Sequence, residues 1–223
     1  MVTFVIPTLW KSEYIYKTID AIQASSIPGI ELIIFDNAQK GYSNEDPRIK
    51  IINDKNYWVN PAWNKGVELA NNDWVCLLND DVHVNIDLLC KEFNRLIIQS
   101  DHKDNFGTLA FHSGSWFSEE INKDTDTLEL AVQTHRGTGF GQMIILKKEN
   151  YVNIPDHFKI YFGDDLIHYL QEGVLRNKSW YFKGLKTIGE LSKTSASVED
   201  QIQKEFVFWK QTTDEWYNKY AKK

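Results

Sequence analysis

Short apolar runs alternate with amphipathic stretches through the first hundred residues. Val2-Thr3-Phe4-Val5-Ile6 reads as a buried strand ended by Pro7. Ile15, Ile19 and Ile22 then recur at four-then-three spacing, one stripe of a helix that Ser12 is placed to cap. Pro28-Gly29 breaks the chain before a second strand, Ile30 to Phe35, which runs into Asp36-Asn37. Ile49 to Ile52 is a third strand. A helix from about Pro61 to Ala70, with the proline in its first turn, feeds a fourth strand, Trp74 to Leu78. Ile86 to Gln99 reads as another helix. This β-α-β-β-α-β-α order predicts an α/β fold with a mainly parallel central sheet flanked by helices.

The second half is patterned differently. Residues 101–137 are polar and irregular, and no periodicity stands out. Phe140 to Lys147 reads as a strand, Asp164 to Gln171 as a short helix and Trp180 to Ile188 as a strand. From Val198 onward Ile202, Phe206, Trp209, Thr213, Trp216 and Tyr220 recur at helical spacing, with Ser197 as a cap. We expect this C-terminal amphipathic helix, residues 198–223, to pack on the same domain through Phe206, Trp209 and Trp216. An association surface is the competing reading. No internal repeat or linker divides the chain.

Composition narrows the class. At 223 residues the chain has room for one domain with a sizeable core. A formal net charge of −6 gives no global field that would recruit nucleic acid or anionic membrane. Cys76 falls in a predicted core strand and Cys90 in a predicted helix, so both read as buried free thiols, which suits a reducing cytoplasm. The run before Pro7 is too short for a signal peptide, and no apolar run reaches membrane-spanning length, so no membrane span is expected.

Three predicted strands end in polar groups: Pro7-Thr8, Asp36-Asn37 and Asn79-Asp80-Asp81. In open α/β sheets, ligands bind at the carboxyl ends of the strands. Adjacent carboxylates there repel unless a cation or hydrogen-bond donors offset the charge, and a hard divalent ion carrying a diphosphate suits them. A solvated turn is the alternative. Asp36 suits a ribose or nucleobase edge, or else caps a turn. Asn64 and Gly66 lie on the helix before the carboxylate strand. A glycine within a helix costs about 1 kcal/mol relative to alanine, so Gly66 signals either a close backbone approach or ordinary helix–sheet packing.

These segments, in this order, resemble a GT-A-fold glycosyltransferase. Phe4-Val5-Ile6-Pro7-Thr8, Glu31 to Asn37, Asn56 through Asn64-Lys65-Gly66 and Leu78-Asn79-Asp80-Asp81 are most similar to the family 2 group, which includes rhamnosyltransferases. Gly137 to Lys148 resembles that family's glycine-then-hydrophobic strand, and Phe158 to Asp165 its aromatic-Gly-Glu-Asp segment. The likeness runs from about residue 2 to about 197.

The resemblance implies transfer of a sugar from a nucleoside diphosphate, with inversion, to an acceptor. It places Pro7, Thr8, Asp36, Asn37, Asn64 and Asp80 around the donor. Asp81 corresponds to the last acid of the family's Asp-x-Asp element, and Asn79 replaces the first. Asp81, with Asp80 beside it, would hold Mn²⁺ or Mg²⁺. Asp165 corresponds to the catalytic base, and Asp164 stands where the family has Glu. Two favourable acids at a helix N-terminus are the alternative reading of that pair. Glu190 takes the place of a metal-binding His in Thr187 to Ser195. Gln133-Thr134-His135-Arg136-Gly137 is faintly like a Gln-x-x-Arg-Trp motif but precedes the acid pair and lacks Trp, and is set aside.

A sugar-nucleotide pyrophosphorylase would need a Gly-rich, basic loop where Pro7 to Lys11 stands. A non-catalytic nucleotide- or sugar-binding module on the same fold remains the alternative function. UDP- or dTDP-linked donors are favoured, with a saccharide, lipid-linked or protein acceptor. The acidic net charge disfavours a nucleic-acid acceptor.

Overall fold

The computed structural model describes residues 1–111, 117–133, 139–190 and 199–221. Strand β1 (Val2–Thr8) is buried along its whole length and forms the axis of the molecule. It pairs in parallel with β2 (Glu31–Asp36) on one side and β4 (Trp74–Leu78) on the other, and β3 (Ile49–Ile52) extends the sheet beyond β2. Past β4 the sheet becomes mixed. β8 (Met143–Lys147) runs antiparallel to β4, followed by β6 (Phe106–Ala110), β9 (Lys178–Lys183) and β7 (Glu129–Val132). The order is β3-β2-β1-β4-β8-β6-β9-β7, and a separate antiparallel ribbon joins β5 (Val82–Val84) to β10 (Thr187–Gly189).

Alternation along β1 divides the core. Val2, Phe4 and Ile6 share one cluster with Ile15, Ile19 and Ile22 of α1 (Tyr14–Ala24) and with Leu88 and Leu89 of α3 (Ile86–Phe93). Val5 faces the other way, with Ala62, Trp63 and Val67 of α2 (Asn60–Leu69), Leu166 and Ile167 of α4 (Gly163–His168) and Trp216 of α5 (Glu199–Tyr220). Each such fully buried aliphatic or aromatic side chain is worth about 1.5–3 kcal/mol relative to exposure. Gly66 is a packing residue: a Cβ there would lie 2.2 Å from Val5 Cγ1. Cys76 and Cys90 are buried and free.

Several elements differ from the sequence expectation. Pro7 lies within β1, opposite Phe35. It is tolerated because pairing to β4 has ended at Val5, so that side of the ladder needs no N–H from Pro7. The polar stretch 101–137 supplies β6 and β7. The run from Trp180 to Ile188 is two strands of different sheets, parted where Gly184 turns at φ 87°. Helix α3 passes at Asn94 into a π-helical turn, Asn94–Ile98. On α5 the buried positions are Glu205, Thr212, Thr213 and Trp216, whereas Phe206 is 62 % exposed. Trp216 and, partly buried, Trp209 and Tyr220 dock the helix as expected, so of the apolar stripe Phe206 alone turns outward. No helix among the described residues is long and apolar enough to cross a membrane.

Candidate active site

The strand order reverses at β1, where β2 and β3 build outward on one side and β4 on the other, so the crevice opens at the carboxyl ends of β1 and β4. Thr8 closes β1 there. Its hydroxyl donates to Asp80 Oδ2 at 2.6 Å and accepts the Trp10 amide at 2.7 Å. The Leu9 amide also donates to Asp80, and Lys11 adds positive charge. These donors lower the Asp80 pKa, but burial outweighs them and holds it above the ordinary carboxylate value.

Asp81 follows in a harsher setting. Burial, then repulsion from Asp80 and from Glu190, pushes its pKa up to about 6. Its Oδ1 is buried with no hydrogen-bond partner among the described residues. Glu190 reaches this point because β10 pairs with β5 and the Glu190 amide donates to the Asp81 carbonyl at 3.0 Å. Gly189 permits that approach: a Cβ there would meet the Asp81 carbonyl oxygen at 2.6 Å and Phe117 Cε1 at 2.3 Å. An orphaned carboxylate oxygen among mutually repelling acids fits a hard divalent cation. Among the described residues no three His, Cys, Asp or Glu side chains converge to cage an ion. An ion here would need further oxygen ligands from beyond these side chains.

The second acid pair joins this point through the 3₁₀ turn Phe140–Gln142 that precedes β8. The Asn79 amide donates to the Gln142 carbonyl at 3.0 Å, and Asp164 lies against neighbouring Gly141, where a Cβ would come 2.6 Å from its Oδ2. Asp164 and Asp165 are half-buried in the first turn of α4. Two buried side chains absent from the sequence reading hold the loop before them. Asn60 donates its amide to the Phe158 and Tyr161 carbonyls at 3.2 and 2.8 Å. Glu205, on α5, accepts the amides of Lys159, Ile160 and Tyr161 at 2.9, 3.2 and 2.9 Å. Helical periodicity marks Glu205 as a polar residue beside the apolar stripe; only the fold reveals its three donors.

Asp36 is fully buried at the end of β2. Its Oδ1 accepts the Trp10 indole N–H at 2.8 Å and its Oδ2 the Gly41 amide at 3.0 Å. Trp10 is held at φ 58° to make this contact, and its ring lies 4.7 Å from that of Tyr42. Asn37 binds the loop after β3, accepting the Tyr57 amide and donating to the Trp58 carbonyl, both at 2.8 Å. Asn64 sits apart from the β4 end. Its amide donates to the Ile154 carbonyl and accepts from the Tyr151 hydroxyl and the Ile154 amide. Thr8 thus meets Asp80 at the crevice, with Pro7 beside it in β1 opposite Phe35, while Asp36 is covered and Asn64 serves the segment after β8. His135, Arg136, Ser197 and the chain after Glu190 up to Val198 lie outside the described residues.

A mainly parallel sheet flanked by helices, with carboxylates gathered at the reversal of strand order, defines a GT-A-type nucleotide-sugar transferase fold. The chain belongs to glycosyl transferase family 2, whose model matches residues 3–169. Among solved structures it is similar to the TarS 1-349 fragment of S. aureus, with a TM-score of 0.55 and 12 % identity over 83 % of this chain. That match covers 59 % of the TarS fragment, so the chain spans about three-fifths of its length. No curated protein matches the chain by sequence.

Proposed function

We propose that the chain is a metal-dependent, inverting glycosyltransferase that moves a sugar from a nucleoside diphosphate to an acceptor hydroxyl. The observation that carries this reading is the junction of the two acid pairs: Asp80-Asp81 at the end of β4 is linked through Asn79, Gln142 and Gly141 to Asp164 on α4. Mn²⁺ or Mg²⁺ on Asp81, with Asn79 and Glu190 beside it, would stabilise the charge on the departing nucleotide by several kcal/mol. Thr8 holds Asp80 in place, and Pro7 and Asn37 shape the donor side of the crevice. Asp36 offers its remaining lone pairs to a base or ribose once the Trp10 indole moves aside. Asp165 takes the acceptor proton while that oxygen attacks the anomeric carbon and the bond to the diphosphate oxygen breaks. Attack from the opposite side inverts the centre. General-base assistance of this kind contributes about 10²–10⁴-fold. Asp164, fixed against Gly141, orients the acceptor.

UDP- and dTDP-linked hexosyl or rhamnosyl donors suit the resemblance best, with a saccharide, lipid-linked sugar or protein as acceptor. Two buried free thiols support a reducing, cytoplasmic setting. The test is calorimetric titration with UDP, GDP, dTDP and CDP, each with Mn²⁺ and with EDTA. One nucleotide binding tightly and only with the metal is expected. No binding under either condition would overturn the proposal.

A further inference from the structure

The outer side of α2 carries a pocket that the donor crevice does not use. It encloses about 400 Å³ between the loop after β3, the helix and the segment after β8. Pro61, Asn64, Lys65 and Glu68 line it, and these positions lie opposite Ala62, Trp63, Gly66 and Val67, which face the sheet. The pocket therefore opens away from the β1–β4 crevice. Its rim is Trp58, 43 % exposed and held at φ 63°, a conformation that side chains other than glycine rarely adopt.

That conformation is fixed from both sides. The Trp58 amide donates to Asn56 Oδ1 at 2.7 Å, its carbonyl accepts from Asn37 Nδ2 at 2.8 Å, and the next amide, Val59, donates to the Lys159 carbonyl at 3.0 Å. A strained backbone over-determined by hydrogen bonds, holding a large aromatic side chain partly out into solvent, is a feature that gathers at ligand-binding positions. Around the indole the walls are polar and of mixed sign. Lys55, stacked 4.7 Å over the Tyr57 ring, Lys65 and Lys159 are offset by Glu68 and Asp156, and Asn56 and Asn153 add amide groups. Mixed charge argues against a purely anionic ligand. One flat apolar face ringed by donors and acceptors is the complement of a pyranose, whose ring has an apolar face and a rim of hydroxyls.

We propose that this pocket is a saccharide subsite, in which a sugar stacks on Trp58. It is joined to the acid pair by one continuous segment, because Lys159 lines the pocket and begins the loop that Glu205 and Asn60 hold before Asp164-Asp165. The occupant is the part of a glycan acceptor remote from the reacting hydroxyl, a role that rests on the transferase reading above.

The experiment applies the full chain, wild type and Trp58→Gly, to a printed array of defined neutral and acidic oligosaccharides. Titration of the retained glycans in solution follows, and UDP, GDP, dTDP and CDP with Mn²⁺ are titrated in parallel. Glycine suits the backbone at this position, so Trp58→Gly is expected to keep the melting temperature of the wild type. We expect the wild type to retain a subset of glycans, the variant to bind them about tenfold or more weakly, and nucleotide affinity to be equal in the two proteins. No retained glycan, or retention unchanged in Trp58→Gly, overturns the subsite. Displacement of the glycan by a nucleotide without metal also overturns it, by making the pocket a nucleobase site. Glycan binding that depends on Trp58 in a protein that binds no nucleotide upholds the subsite and removes the transferase reading instead.

Discussion

Glu205 accepts the backbone amide of Tyr161 at 2.9 Å, and through that bond the terminal helix reaches the loop that presents Asp164 and Asp165. The same carboxylate takes the two preceding amides and the Gln201 side chain at 2.7 Å. Replacing it with alanine strands three amides in a buried setting, which costs about 1–3 kcal/mol for each donor left unsatisfied and less where water enters. Glu205→Ala is therefore expected to speed hydrogen exchange at residues 159–161 and to lower transfer, while nucleotide affinity stays within about twofold. Glu205→Gln, which keeps the acceptor oxygen, should recover part of the protection. A parallel fall in nucleotide affinity would show that the helix supports the whole fold rather than this loop.

Asp165→Asn is expected to abolish transfer and leave metal-dependent nucleotide binding intact. The amide keeps the shape of the side chain but cannot take a proton from the acceptor. Single-turnover assays with a competent donor and acceptor decide the point, and near wild-type turnover would move the base to another group.

Asp81 gives a pH signature with a definite sign. Its pKa, raised from 3.8 to about 6 by burial and by Asp80 and Glu190, means that the folded state holds a proton the unfolded chain has released. The associated stability is fully present below about pH 4 and is lost as pH rises through about 6. At neutral pH the resulting destabilisation is at most about 3 kcal/mol, and partial hydration of the site reduces it. Cation binding runs the other way, because it needs the carboxylate. Metal-dependent nucleotide affinity should therefore climb with pH through about 6. Asp81→Asn should raise the melting temperature of the metal-free protein at pH 7 while it removes that dependence.

Gly189→Ala tests how Glu190 is delivered. The new methyl meets a backbone oxygen of Asp81 at 2.6 Å and the Phe117 ring at 2.3 Å, and the oxygen cannot step aside without breaking the β5–β10 ribbon. We expect a loss of about 1–3 kcal/mol in unfolding free energy and weaker metal-dependent nucleotide binding. Unchanged metal affinity would detach Glu190 from the ion.

The elements that carry the site were legible where the chain is locally consistent. The β4 run from Trp74 to Leu78 and the four-then-three isoleucines of α1 announce themselves because burial on both faces, or along one stripe, leaves a simple pattern. The order of motifs also pointed to the strand ends that meet at Thr8 and Asp80. What stayed hidden depends on contacts distant in sequence. Glu205 reads as a surface acid until Lys159, Ile160 and Tyr161 supply its donors. Nothing in the sequence around Gly189 shows that Asp81 lies against it. β6 and β7 leave no pattern in the sequence because Phe106 to Ala110 and Glu129 to Val132 are short, and the polar loops around them swamp any period.

Asp36 is covered by the indole of Trp10. Trp10 supplies an indole N–H to Asp36 Oδ1 at 2.8 Å, so the carboxylate is already satisfied by the chain before any base arrives. If a nucleobase or ribose is to use that oxygen, the indole must leave, and its departure gives up one charge-assisted hydrogen bond, about 1.5–3 kcal/mol. Trp10→Phe removes the donor but keeps an aromatic ring to pack against Tyr42, whose ring lies 4.7 Å from that of Trp10. The variant is expected to unfold more easily and yet to bind its nucleotide more tightly, because the competing donor is gone. Calorimetry and thermal unfolding on the same preparation read the two effects separately. Weaker nucleotide binding in Trp10→Phe would mean that the indole itself stacks on the base, and that Asp36 holds the loop rather than the donor.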